Sequence, residues 1–197
     1  SVPAAADQAR QLVDDLAGVT MPLVVMGDFN SDPRDPRTPG GNPGGQPESS
    51  DACPAQSGRD ATCSAYWTMA SSGYTDAGPD ATDPRNLTWG ASALLAGPDL
   101  ERLPAAQRMG NPWGMTDRLD YVWTRNGVTA TSASLVGNEW PVEGATWACT
   151  TTAQLDNADA AARALDTGVP SSGACLPTDH AGVVAALAVP SSSARDA

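Results

Sequence analysis

The 197-residue sequence contains no lysine and no isoleucine, a single histidine (His180) and a single phenylalanine (Phe29). Each shortage excludes something. Without lysine the only side-chain cations besides histidine are arginines, and they are scattered along the chain. A duplex-binding surface needs clustered basic charge to displace counterions, so specific duplex DNA recognition is not expected. Eleven arginines against 23 acidic residues leave a net charge of −12, which points the same way. A small or lipid-borne phosphoester stays open, because a bound metal can supply positive charge locally. One histidine and no Cys-x-x-Cys pair argue against tetrahedral zinc. No apolar run approaches the ~20 residues of a membrane-spanning helix, so contact with a membrane surface is possible but anchoring is not expected. Ser1 to Arg10 carry no basic-then-apolar leader, and any export signal is expected to have been removed. Abundant Ala, Gly, Pro and Arg beside absent Lys and Ile read as GC-rich coding bias, so the missing lysine is not by itself functional.

What is present fits a single α/β domain or a large piece of one. Hydrophobic residues make up 41% of the chain, enough to build a core. Nineteen glycines and 17 prolines predict long loops. Residues 3–17 place Ala5, Ala9, Leu12, Val13 and Leu16 at helical spacing, with Pro3 at the start and Gly18 at the stop. Residues 22–26 read as a short buried strand ending in Gly27-Asp28-Phe29-Asn30. Residues 32–62 have no periodicity and predict a surface insertion, with a Pro/Gly interdomain linker as the alternative. Leu87–Trp89 reads as an edge strand. Residues 119–124 (LDYVWT) alternate as a strand, and residues 127–136 as its hairpin partner across an Asn126-Gly127 turn. A second irregular insertion covers 138–174, with a helix near 158–165. The chain closes on Asp179-His180 and a last apolar run, read as a buried strand.

Four cysteines allow three pairings. Cys53–Cys63 and Cys149–Cys175 close the shortest loops and are the expected disulfides. They imply an oxidising compartment and hence a secreted protein. Four free thiols are the alternative.

Asp28/Asn30, Asp120 and Asp179/His180 lie at strand ends, where side chains from distant parts of the chain converge. Each also has a plainer reading: turn residues, a buried structural carboxylate, a strand-start histidine. Asp76 reads as structural, and Trp113 and Met115 as a cap on the core. Taken in order, however, GDFN at 27–30, RLDY at 118–121 and TDH at 178–180 resemble signatures of the endonuclease/exonuclease/phosphatase superfamily. GYTDA at 73–77 and LTWG at 87–90 match the elements between them. The resemblance implies a DNase I-like α/β sandwich. The superfamily's first-strand Asn and its metal-binding Glu have no counterpart here. The expectation is therefore the C-terminal half of that domain over 1–197: one mostly antiparallel sheet with flanking helices and long loops.

The resemblance also implies roles. Asp28 stands beside the attacking water and Asn30 donates to the phosphate. Asp120 orients His180, whose other ring nitrogen faces the phosphate. Asp179, with Asp28 nearby, holds a hard divalent cation, Mg2+ or else Mn2+ or Ca2+. Arg118 lines the substrate site or forms an outward ion pair. The implied activity is metal-dependent hydrolysis of a phosphoester substrate, lipid or small molecule favoured. The alternatives are a secreted DNase I-like nuclease and a non-catalytic association module. Alone, the chain is expected to be inactive and either to self-associate or to pair with the missing N-terminal half.

Overall fold

The first expected helix forms as α1 (Val2–Asp15) and turns Ala5, Ala6 and Ala9 into the interior. The structure is a computed structural model that describes residues 2–34, 64–139, 148–165 and 175–191. After α1 come β1 (Leu23–Asp28), α2 (Ala65–Ser71), β2 (Thr75–Asp76), α3 (Leu103–Met109), β3 (Asp120–Arg125), β4 (Thr129–Val136), α4 (Thr152–Ala164) and β5 (Gly182–Ala188). The architecture is a mixed α/β one with antiparallel sheets, as expected of a DNase I-like domain.

The strands form two sheets rather than one. β3 is central in the first, between β1 and β2, and β4 pairs with β5 in the second. All of these pairings are antiparallel. The Asn126-Gly127 turn forms, with φ of 57° and 83°. Two consecutive left-handed residues are what a two-residue hairpin turn requires. Yet β4 does not return beside β3 as the hairpin reading expected. Both edges of β3 are already occupied, so the turn delivers β4 to β5 instead. The Leu87–Trp89 segment likewise forms no regular edge strand. Trp89 makes isolated bridges to Asp117 and to His180.

Alternation along β3 sends Tyr121 and Trp123 to the face covered by α1 and α2. There they pack with Ala5, Ala9, Ala65, Met69 and Tyr74, flanked by Phe29 and Tyr66. Phe29 meets both Tyr121 and Trp123 edge-on at 6.0 Å. Burying each large ring contributes about 1.5–3 kcal/mol. Val122 and Thr124 on the opposite face are buried too, and β5 packs against β3.

The second sheet is thinner. β5, expected as a buried strand, alternates between half-buried (Val183, Ala185, Leu187) and exposed positions. Val136 and Val184 are about half exposed, at 53% and 50%. A two-stranded layer of mostly small residues covers one side and leaves its own outer face open.

Two loop expectations also change. Asp32, read as the start of a surface insertion, is fully buried. Its carboxylate accepts from the Arg34 side chain at 2.6 Å and from the Arg118 backbone N–H at 2.8 Å. In the second insertion the helix is longer than expected. Thr151 and Gln154 form a capping box that starts α4 at Thr152. The expected Cys149–Cys175 disulfide is present and ties the flanks of α4 together. Cys53 and Cys63 lie outside the described residues.

Candidate active site

The site is built where β1 ends and where β3 and β5 begin. In the β1–β3 register Asp28 lies directly opposite Asp120. Two carboxylates facing each other across a ladder are unfavourable for stability, so the pairing marks a place shaped by something other than packing. Beyond Asp28 the chain turns sharply. Asn30 adopts φ 47°, which Asn tolerates better than most residues. Its backbone N–H donates to Asp28 Oδ1 at 2.7 Å and its amide to Oδ2 at 3.2 Å. The turn reading and the functional reading are thus compatible: the turn holds Asp28 and Asn30 together at the rim. Phe29, between them, points into the aromatic core and fixes the turn against it.

Asp120 is held from behind. The Thr88 hydroxyl accepts from the backbone N–H of Leu119 at 3.0 Å and of Asp120 at 3.2 Å. The Tyr121 hydroxyl contacts the carbonyls of Ser31 at 2.8 Å and Arg118 at 2.5 Å. Burial, with Asp32 nearby, pushes the Tyr121 phenol well above its ordinary range, so it stays a neutral donor.

His180 arrives from the second sheet. The Thr178 hydroxyl accepts from the His180 backbone N–H at 3.2 Å. The Ala181 N–H donates to the Thr88 carbonyl at 2.7 Å. Thr88 therefore bonds to Asp120 and to the residue that follows His180. The result is a 2.9 Å contact between His180 Nδ1 and Asp120 Oδ2, with both side chains partly exposed. An ionised carboxylate only accepts, so Nδ1 is the nitrogen that donates to Asp120, and Nε2 is left for another partner. Asp179 lies beside this pair, its Oδ2 accepting from the Trp89 indole N–H at 3.3 Å.

Asp28, Asn30, Asp120, Asp179 and His180 therefore gather at one rim, as expected. Arg118 does not join them. Its side chain is fully buried, so the expectation that it contacts substrate is corrected. Its Nε donates to the Asp120 carbonyl at 2.8 Å, and its Nη1 lies within reach of the carbonyls of Pro79 and Asn86 at 3.0 and 3.2 Å. Asp76 is its counter-ion at 3.5 Å, which supports the structural reading of Asp76. Burial raises the Asp76 carboxyl pKa, and Arg118 opposes that shift. Met115 is buried in a small cluster with Leu87 and Ala181, and Trp113 packs at the edge of another around Cys175.

Three residues were not assigned a role from sequence. Thr88 and Trp89 sit in the LTWG segment, whose position was noted but whose hydrogen bonds have no local signature. Arg102 lies with its guanidinium 4.1 Å over the Trp89 ring. Nothing in the pattern around residue 102 links it to residue 89.

The carboxylates of Asp28 and Asp179 are the right donor type for a hard cation. Among the described residues, however, no three His, Cys, Asp or Glu side chains converge to hold one. By themselves these residues do not complete a metal cage.

Compared with known proteins, residues 2–180 match the model of the Endonuclease/Exonuclease/phosphatase family. No curated protein and no solved structure matches the chain.

Proposed function

We propose a reaction from the premise that this chain belongs to the endonuclease/exonuclease/phosphatase family, whose model covers nearly its whole length. The family places it among phosphoesterase- and nuclease-type hydrolases, which typically use divalent metals. Our finer reading is hydrolysis of a phosphoester by direct attack of water on phosphorus. The Asp120–His180 contact of 2.9 Å carries it, because a carboxylate-oriented imidazole at the rim of a sheet has a defined chemical task.

In this reading Asp28 accepts a proton from the attacking water and the Asn30 amide donates to a phosphate oxygen. Asp120 fixes the Nδ1–H tautomer of His180. His180 in its protonated form donates from Nε2 to a phosphate oxygen, where negative charge builds. The new P–O bond forms to the water oxygen and the bond to the leaving oxygen breaks. The departing alkoxide takes up a proton from solvent or from the site. A divalent cation, when bound, would neutralise phosphate charge. The described residues alone do not enclose one.

Two extensions are part of the proposal. Few ligands converge among the described residues, which supports weak metal affinity and low turnover for the chain by itself. A further polypeptide segment that contributes a carboxylate, or a second copy covering the open sheet, would restore it. The Cys149–Cys175 bond supports a secreted protein. The net charge of −12 favours lipid or small-molecule phosphoesters over DNA.

The test compares DNA, sphingomyelin and bis(p-nitrophenyl) phosphate as substrates, with and without Mg2+ or Mn2+. The assay is run with the chain alone and with the chain extended upstream in its reading frame. His180→Ala is expected to reduce turnover on the order of 10²-fold or more wherever activity is found. Turnover insensitive to His180→Ala would overturn the reading.

A further inference from the structure

We propose that Arg102 is a further anion-binding residue of this site, its guanidinium taking oxygens of the phosphoester. The inference rests on the hydrolase reading for the identity of that anion. It rests on geometry for everything else.

A phosphoester hydrolase benefits from a fixed cation near the phosphate. Besides a metal or a protonated His180, a permanent side-chain cation in a chain without lysine must be an arginine. Arg118 is excluded by burial. Arg34 is committed to Asp32, with Nε and Nη2 each 2.6 Å from its carboxylate. Arg85 is clasped by Asp83 through Nε and Nη2 at 3.0 and 2.6 Å, on a well-exposed turn.

Arg102 is held differently. Its Nε forms an ion pair with Asp99 Oδ2 at 3.2 Å, and its side chain is 23% exposed. Its Cζ lies over the Trp89 ring, 4.1 Å from the centroid. The same indole donates to Asp179 and lies 6.5 Å, centroid to centroid, from the His180 ring. Among the described residues the Nη1 and Nη2 groups make no hydrogen bond. One side of the guanidinium is therefore anchored by Asp99 and its carbon sits over the indole. Its terminal donors are unoccupied, one indole away from Asp179 and His180. A guanidinium held in this way loses little freedom on binding and matches the spacing of two phosphate oxygens. Asp99 and Trp89 supply the anchoring, which a purely structural arginine would not need to leave half unpaired.

The test measures binding rather than turnover. Inorganic phosphate is titrated into the wild-type chain and into Arg102→Gln and Arg102→Lys, followed by tryptophan fluorescence and 31P line broadening. Arg102→Gln is expected to weaken phosphate binding about 10- to 100-fold, the range for losing a charged hydrogen-bond partner. Arg102→Lys keeps the charge over Trp89 but loses the fork, and is expected to recover only part of the affinity. Unchanged phosphate affinity in Arg102→Gln overturns the proposal. Should Arg102→Gln fail to fold, wild-type affinity in Arg102→Lys overturns it instead. Binding through Arg102 with no hydrolysis of any phosphoester, by the chain alone or extended upstream with Mg2+ or Mn2+ present, would refute the hydrolase reading and leave the anion site standing. Turnover with KM and phosphate affinity both indifferent to Arg102 would refute this proposal alone.

Discussion

The two sheets differ in how they are held, and the site needs both. The β1–β3–β2 sheet carries Asp28 and Asp120 and buries an aromatic face under two helices. The β4–β5 sheet leads off from His180 yet leaves Val136 and Val184 half exposed. One catalytic candidate therefore stands on a packed layer and its partner on a thin one. The 2.9 Å contact between them does not come from the strength of the second sheet. It comes from the Thr88–Trp89 segment, which bonds to β3 on one side and to residues 180–181 on the other. Rigidity at the site is borrowed from the better-packed sheet through that segment.

The contrast can be broken most severely at its strong end. Trp123→Ala removes a side chain only 1% exposed in the aromatic core, and should cost about 3–5 kcal/mol by urea unfolding. Next comes the Cys149–Cys175 bond. Its reduction should cost about 2–4 kcal/mol of local stability. Hydrogen exchange should show that loss around the buried Ala158 and Ala161 of α4, with β3 amides still protected. Thr88→Val should cost about 1–3 kcal/mol, because the N–H groups of Leu119 and Asp120 lose their acceptor. Unlike the previous two, it should also loosen the Asp120–His180 contact. Smallest is Val184→Ser on the open face of β5, expected within about 0.5 kcal/mol of wild type in the isolated chain. A large loss there would mean that this face is covered in solution.

Much of this was legible in the sequence because the signals were local or ordered. Periodicity gave α1, alternation gave β3, and the apolar runs gave β1 and β5. The three short motifs placed Asp28, Asp120 and His180 on one rim. What was not legible depended on occupancy of space. Asn126-Gly127 specifies a turn but not a partner, and β3 had no free edge to offer. Arg118 has the composition of a site cation, yet the chain closes over it with Asp76 and three carbonyls as partners. Asp32 sits in Pro-rich sequence and is nonetheless buried, because it caps the Arg118 backbone 86 residues away. Arg102 reaches Trp89 through a loop whose sequence carries no period at all. Pairings of this kind are set by tertiary packing, which neither propensity nor spacing encodes.

The most direct test of the account is the protonation pattern of its one histidine. Because His180 is the only histidine in the chain, a two-bond 1H–15N spectrum of 15N-histidine-labelled protein has one ring to report. The account expects the neutral ring to carry its proton on Nδ1, held by Asp120. Asp120→Asn should shift the proton population toward Nε2 without unfolding the protein. A wild-type ring protonated on Nε2, or a tautomer indifferent to Asp120→Asn, would contradict the claim that this carboxylate presents the imidazole to substrate.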